Sequence, residues 1–472
     1  MDKVSFLQEK STYHMKYPDQ SDLSFYRWYT EQHPDEAIGW YHLGREYAER
    51  GEQEQALSAL RRALHAKPGP YYNEAREAYQ ALLRERKQQE WRSKTRRLLA
   101  TLLFLYFQFA FSPSPLTEPG PAAATTAPVS PAISKEQPHV EVIAVPAQLG
   151  ADQLKDQVRQ YVENRRPSLS QPYSVIVVPE VAGAPLFTPL LFYQPANVMG
   201  VLRYHPLNRT VISQTWFPRP GAYPQDSLLR PARTALGQEQ QVLEHVLLLR
   251  NALYRFYQQK GSLPDSLSQL AGAYPGNYLP QVPAPPAGLG LKSYLYRPAS
   301  FRPEAAWASL RDVLPLPGYP EPLVPLEPLQ IRIAEATYTM RLMSGSQVVR
   351  SYPIGIGKDG LSPEGYFTIL QKINHPRGHD NIYGTRGMVF ESSGYAIHGT
   401  NHPESIGASL SLGCIRMLNA AVEELYSFVS LGTEVIATDA PVQTLAWSNP
   451  APLILPARPA EETPQVVYRW LH

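Results

Sequence analysis

HGTNHPESIGASLSLGCIRM, running from His398 to Met417, holds the one cysteine of a 472-residue chain. Cys414 stands sixteen positions after His398, directly behind Gly413 and ahead of NAAVEELYSFVSLG, whose apolar spacing reads as a helix. A lone cysteine makes no intrachain disulfide, so it serves as a free thiol or as a small buried apolar group. Acyl transfer from an amide needs a thiolate, a base and donors for the developing oxyanion. A helix beginning between Ile415 and Asn419, helped by Arg416, would lower the thiol pKa from about 8.5 toward neutrality. Gly413 leaves room for a substrate to approach, and its N–H with that of Cys414 is placed to meet an oxyanion. Gly407, Ser409, Ser411 and Gly413 suit a tight loop better than a core. By residue type alone a buried structural cysteine and a satisfied core histidine remain open for Cys414 and His398.

Outward from this stretch, residues 329–439 alternate apolar runs (LQIRIAEATYTMRLM, QVVRSYPIGIG, YFTILQK, TEVIAT) with Gly, Ser, Asn and Asp, the pattern of a β-rich domain. The texts IGKDGLSPEGYFTI, YAIHGTNHPESIG, SLGCIRM and GTEVIAT, in that order, closely resemble the L,D-transpeptidase catalytic domain of the YkuD type. The resemblance covers about a quarter of the chain. It implies a β-sandwich-like catalytic fold, a covalent acyl-enzyme on cysteine and sensitivity to carbapenem-type β-lactams. By position it gives Cys414 the nucleophile role and His398 that of general base. Gly399 falls where the family orients the imidazole through a backbone carbonyl, and Arg416 where an arginine lies near the substrate carboxylate. Ser411, Asn401 and Tyr383 are expected beside Arg416 as substrate-binding positions, with Gly413 contributing to the oxyanion site. Three positions depart from the family text: Leu412 replaces a frequent histidine or lysine, Ala421 a frequent acidic residue, and Gly387 a common tryptophan.

The reaction so implied joins peptidoglycan stem peptides. Resolution by water at the same site would make an L,D-carboxypeptidase instead. A sortase would show a different text around the cysteine and an arginine from a later strand. The non-enzymatic alternative is an inactive scaffold acting through its N-terminal helices. His375, His379 and His402 suggest no metal site, because the i, i+4 spacing of the first pair serves only on a helix and Pro376 and Gly378 intervene. No metal or organic cofactor is expected, and a net charge of +2 without a basic stripe gives no sign of a nucleic-acid partner.

The rest of the chain reads as modular. Its 47 prolines are about twice the usual share of roughly 5%. Trp40, Leu43, Gly44, Tyr47, Ala56, Leu60, Ala63 and Pro68 fall where a tetratricopeptide repeat places its signature residues, with Leu23, Phe25, Trp28 and Tyr29 forming an earlier degenerate unit and residues 73–97 a further helix. Arg92, Lys94, Arg96 and Arg97 then abut a charge-free span from Leu98 to Thr117, which reads as a signal-anchor helix with residues 1–97 cytoplasmic and the remainder exported. The expected architecture is multidomain: tetratricopeptide-like α-helices over 1–97 with a cytoplasmic protein partner, one transmembrane helix over 98–117, a Pro/Ala-rich linker over 118–138, an unassigned exported α+β region over 139–326, a mostly β, sandwich-like catalytic domain over 327–440 and a tail over 441–472. The expected location is the bacterial cell membrane, in a single pass, with the catalytic domain at the cell wall.

Overall fold

The helices of the N-terminal part form where small residues let apolar faces meet. A computed structural model describes residues 3–17, 20–50, 52–66, parts of 71–82, 136–164, 169–438 and 447–471. These divide into two units, residues 1–129 and 130–472. In the first, α1 (Lys3–Lys16), α2 (Asp22–Gln32), α3 (Ala37–Glu49) and α4 (Gln53–His65) follow one another through short turns. Ser21 caps α2, its hydroxyl accepting the Ser24 N–H at 3.3 Å. Gly44 permits the close approach of α3 and α4, since a Cβ there would fall 2.7 Å from Leu60 Cγ. Phe6, Phe25 and Tyr29 fill the space between α1 and α2, the Phe6 and Tyr29 rings meeting edge to face at 4.8 Å. Most of the helix expected over 73–97, and Pro68, lie outside the described residues.

The expected membrane-spanning architecture and single-pass location are corrected. Among the described residues no helix is long and apolar enough to cross a membrane. The longest, Leu229–Lys260 at 32 residues, carries Arg230, Arg233, Glu239, Glu244, Arg250 and Arg255 along its length, charges that hydrocarbon would not accept. The span proposed from sequence, Leu98–Thr117, itself lies outside the described residues.

In the second unit the chain first builds β1 (Val140–Val145), α5 (Ala151–Asn164), β2 (Tyr173–Pro179), β3 (Val198–His205) and β4 (Thr210–Gly221). They form a sheet in the order β1-β2-β3-β4, with β1 and β2 parallel and α5 as the crossover. Then come the long helix α6 (Leu229–Lys260), ended by Gly261 in the left-handed region at φ +76°, and α7 (Ala306–Val313). The catalytic-type segment supplies β5 (Leu329–Ala334), β6 (Thr339–Ser344), β7 (Gln347–Pro353), β8 (Ile356–Gly357), β9 (Gly365–Thr368), β10 (Gln371–Asn374), β11 (Arg386–Glu391), β12 (Tyr395–Gly399), β13 (Ser409–Ser411), β14 (Ile415–Met417), α8 (Asn419–Phe428) and β15 (Glu434–Thr438). Its strands make a five-stranded sheet, β7-β6-β5-β15-β9, a four-stranded sheet, β10-β11-β12-β14, and a β13-β8 pair.

One continuous apolar core joins α6 to these sheets, with Val246, Leu249 and Leu253 packed in the same cluster as Ile331, Ile333, Val435 and Leu425. A buried ion pair crosses the same boundary. Arg350 on β7 donates to Glu244 on α6 at 3.0 Å and to Glu424 on α8 at 2.6 Å, with all three side chains nearly inaccessible. A second charged cluster ties β1 to both neighbouring helices: His139 meets Glu239 at 2.6 Å, and Tyr161 donates to Glu141 at 2.8 Å.

Two outcomes follow from these clusters. Arg350→Met leaves two carboxylates buried without their cation and should cost about 3–5 kcal/mol in urea unfolding, with part of the loss recovered when Glu244→Gln and Glu424→Gln are added. Burial alone would lower the His139 pKa, but Glu239 and Glu141 raise it from 6.5 to about 9. A raised folded-state pKa means that its stabilisation is complete below about pH 6.5 and fades as pH climbs through 9. The stability of His139→Gln should therefore vary less over that window than that of the parent chain.

Candidate functional site

Parallel pairing of β12 with β14 sets Ile397 beside Ile415 and His398 beside Arg416. Continuing that register places Cys414 beside Ala396, whose N–H reaches the sulfur at 3.4 Å. Side chains alternate between faces along a strand, so His398 and Cys414 project from one face of the sheet on neighbouring strands. Tyr383 joins them: its ring stands edge-on to His398 at 5.1 Å and belongs to the apolar cluster that holds Cys414.

The histidine ring is oriented by its own strand. Its Nδ1 lies 2.5 Å from the Gly399 carbonyl oxygen, and a carbonyl only accepts, so Nδ1 carries the proton and Nε2 is the basic nitrogen. A Cβ on Gly399 would fall 2.2 Å from Asn419 Oδ1, so a larger residue here would displace that amide. Asn419, at the start of α8, accepts the Thr385 N–H at 3.2 Å and donates to the Thr400 carbonyl at 3.3 Å, clamping the turns on both sides of the histidine strand.

The cysteine loop is held by Ser411. Its hydroxyl donates to the Cys414 carbonyl at 2.7 Å and accepts the Gly413 N–H at 3.0 Å. Gly413 takes φ +136°, where a Cβ would meet Tyr395 Cε1 at 2.4 Å, so both backbone and space demand glycine. With the Gly413 N–H turned to Ser411, the Cys414 N–H is the donor that meets a carbonyl, that of Leu471, at 2.8 Å. Arg416 is nearly buried and exchanges backbone hydrogen bonds with Gly355, while Asn401 is exposed and donates to the Asp380 carbonyl at 2.9 Å. His379 and His402 pair with their neighbours Asp380 and Glu404 on the surface. Among the described residues no group of three or more His, Cys, Asp or Glu could hold a metal ion.

Two expectations differ from what is found. Ile415–Met417 is a strand and the helix starts only at Asn419, so Cys414 does not sit at a helix N-terminus. Both Ile415 and Met417 are fully buried, and their pairing with β12 outweighs the helical pattern that follows. Nor is the thiol acidified in this conformation: Cys414 is 0% exposed, and burial pushes its pKa up to about 12 against the opposing pull of two backbone contacts and Arg416.

Sequence reasoning missed Asn419 and the C-terminal residues that cover the site. Trp470 stacks near Tyr383 at 4.7 Å and His398 at 6.2 Å between ring centroids. Its signal was the aromatic pair in YRWL at the end of an otherwise irregular tail, together with Gly387, where a Cβ would lie 2.4 Å from Trp470 Cη2.

Comparison with known proteins identifies the family of this segment. The L,D-transpeptidase catalytic domain, YkuD type, matches residues 329–436. The putative L,D-transpeptidase YkuD of Bacillus subtilis is 38% identical over 121 residues, which are 25% of this chain and 71% of that protein. The putative L,D-transpeptidase YqjB of the same organism is 34% identical over 140 residues, covering 26% of this chain and 74% of its own length. Among solved structures, the NMR structure of the catalytic domain from the E. faecium L,D-transpeptidase aligns with a TM-score of 0.22 at 22% identity, over 24% of this chain and 98% of that one. An L,D-transpeptidase from Mycobacterium smegmatis aligns with a TM-score of 0.21 at 21% identity; 24% of this chain covers 59% of that structure. The chain belongs to the YkuD family of L,D-transpeptidases and is an enzyme of that kind.

Removing the loop's brace tests the local account. Ser411→Ala leaves the Gly413 N–H buried without its acceptor and should lower stability by about 1–3 kcal/mol in thermal or urea unfolding, while Ser409→Ala, at a partly exposed position, should change it less.

Proposed function

We propose that the chain cross-links peptidoglycan stem peptides by acyl transfer through Cys414. The observation that carries this reading is the common face shared by Cys414 and His398, with the imidazole proton fixed on Nδ1 by Gly399. Nε2 takes the thiol proton as the sulfur attacks the carbonyl at the L-centre of the diamino residue of the donor stem. The S–C bond forms, the C–N bond to the terminal D-alanine breaks, and the leaving amine takes the proton from His398. An amine of a second stem then attacks the thioester and gives its proton to Nε2, the S–C bond breaks, and His398 passes that proton to the sulfur. The Cys414 N–H supplies one hydrogen bond to the oxyanion in each step, and Ser411 keeps that N–H in place by bonding the carbonyl of the same residue. Arg416, Ser411, Tyr383 and Asn401 are the residues this reading assigns to substrate contact.

The N-terminal helices suit a tetratricopeptide-like surface for a protein partner, on the strength of the glycine contact between α3 and α4 and the Trp40 indole donating to the Pro34 carbonyl at 2.9 Å.

Intact mass after incubation with a carbapenem tests the chemistry. A single covalent adduct is expected on the parent chain and none on Cys414→Ala. His398→Gln should form it more slowly by about 10²–10⁴-fold. No adduct on a folded chain, either at full length or ending at Thr463, would remove the enzymatic reading.

A further inference from the structure

The last residues of the chain run across the site just described. Arg458 and Glu461 anchor the start of this segment: Arg458 donates to the carbonyls of Pro280, Ala271 and Gly272, and Glu461 is fully buried against Asn277 and Tyr426. Beyond Thr463 the chain becomes a strap. Val467 bridges Arg377 in parallel, the Tyr468 N–H donates to the Arg377 carbonyl at 2.8 Å, and the Arg377 guanidinium donates to the Pro464 carbonyl. Val466 and Val467 face solvent, 43% and 61% exposed.

The strap then turns inward. The Trp470 indole packs over Tyr383 and His398 in the space left beside Gly387, and its carbonyl accepts the Tyr383 hydroxyl at 3.1 Å. Leu471 spans the reacting residue, its carbonyl accepting the Cys414 N–H at 2.8 Å and its N–H donating to the Gly394 carbonyl at 3.3 Å. A peptide carbonyl of the chain itself thus occupies the one backbone donor assigned above to the acyl oxygen. Cys414 and His398 are both 0% exposed beneath it.

We propose that residues 464–471 are an intramolecular plug in the acyl-donor groove, holding it with peptide backbone and an indole, and that a donor peptide acylates Cys414 only after this segment has left. The inference rests on the preceding reading in taking Cys414 as the reacting atom. A ligand that needs the open state binds more weakly in proportion to how rarely that state is populated. The plug therefore sets the apparent affinity for donor. It also predicts the class of ligand the groove accepts: an extended peptide offering one carbonyl to Cys414 and an apolar group to the space beside Gly387.

Because the chain has one cysteine, the rate of maleimide labelling reads Cys414 alone. Two variants open the site differently: a chain ending at Thr463, and full-length Gly387→Ala, whose new Cβ falls on the indole. Both should label roughly tenfold to hundredfold faster than the parent. The peptide PQVVYRWLH added to the shortened chain should restore slow labelling, and the same peptide with alanine for Trp470 should not. Thermal melting identifies any variant that has lost its fold, in which case the other decides. Labelling within twofold of the parent in a folded variant overturns the plug. Carbapenem acylation measured in parallel separates the two readings. Faster labelling without any adduct keeps the plug and removes the transpeptidase proposal, whereas an adduct formed equally fast with and without residues 464–472 does the reverse.

Discussion

Everything at the site depends on one short parallel pairing, β12 against β14. Parallel strands cannot be joined by a tight turn, so the chain between Gly399 and Ile415 must leave the sheet and return to it. That excursion is TNHPESIGASLSLGC, and its length is what allows a histidine at the end of one strand and a cysteine before the next to share a face. A one-residue slip in register would send one of them to the opposite face. Ser411 and Asn419 act against such a slip from the two ends of the excursion, the first through the backbone of the cysteine loop and the second through Thr385 and Thr400.

The sheet that carries this pairing is fixed in turn by a core it does not complete alone. Buried residues of α6, from Val242 to Leu253, share a cluster with β5, β6 and β15, so the long helix is packed as an integral layer behind the catalytic-type sheets. Arg350 specifies how that layer docks. An apolar interface tolerates sliding, while a guanidinium bonded to carboxylates on two different helices has one arrangement in which all its partners are met. Its stabilising value is modest beside the hydrophobic burial around it; its effect is on alignment, since any misdocking strands a charge.

Local patterns were legible in the sequence and long-range ones were not. The cysteine and the histidine could be singled out from residue type and near neighbours, and the orienting role of Gly399 came from the family resemblance. The helix was expected to begin between Ile415 and Asn419 and begins at the far end of that range; the strand Ile415–Met417 ahead of it exists only through its partner, β12. The membrane-spanning architecture rested on a single apolar run, and among the described residues the one helix long enough to span is lined with charge. Gly387 was recognised as a departure from the family text, but its consequence, space for an indole carried 83 positions further on at Trp470, could not be seen from either residue alone.

The state of the sulfur follows from that distant residue. A thiol with a pKa near 12 is a poor nucleophile at neutral pH, since the thiolate is the reactive form. The largest influence on it is burial, and the site is closed over by Trp470 and Leu471. The remaining influences all favour the anion: the Ala396 N–H and the nearby Arg416 belong to the sheet itself, and the Leu471 backbone contact belongs to the covering segment. Lifting the segment would relieve the burial that holds the proton on, at the loss of the smaller Leu471 contact, and would leave Ala396 and Arg416 in place to favour the anion. Access to the cysteine and its ionisation are then one event, governed by a stretch of chain that contributes no atom to the chemistry.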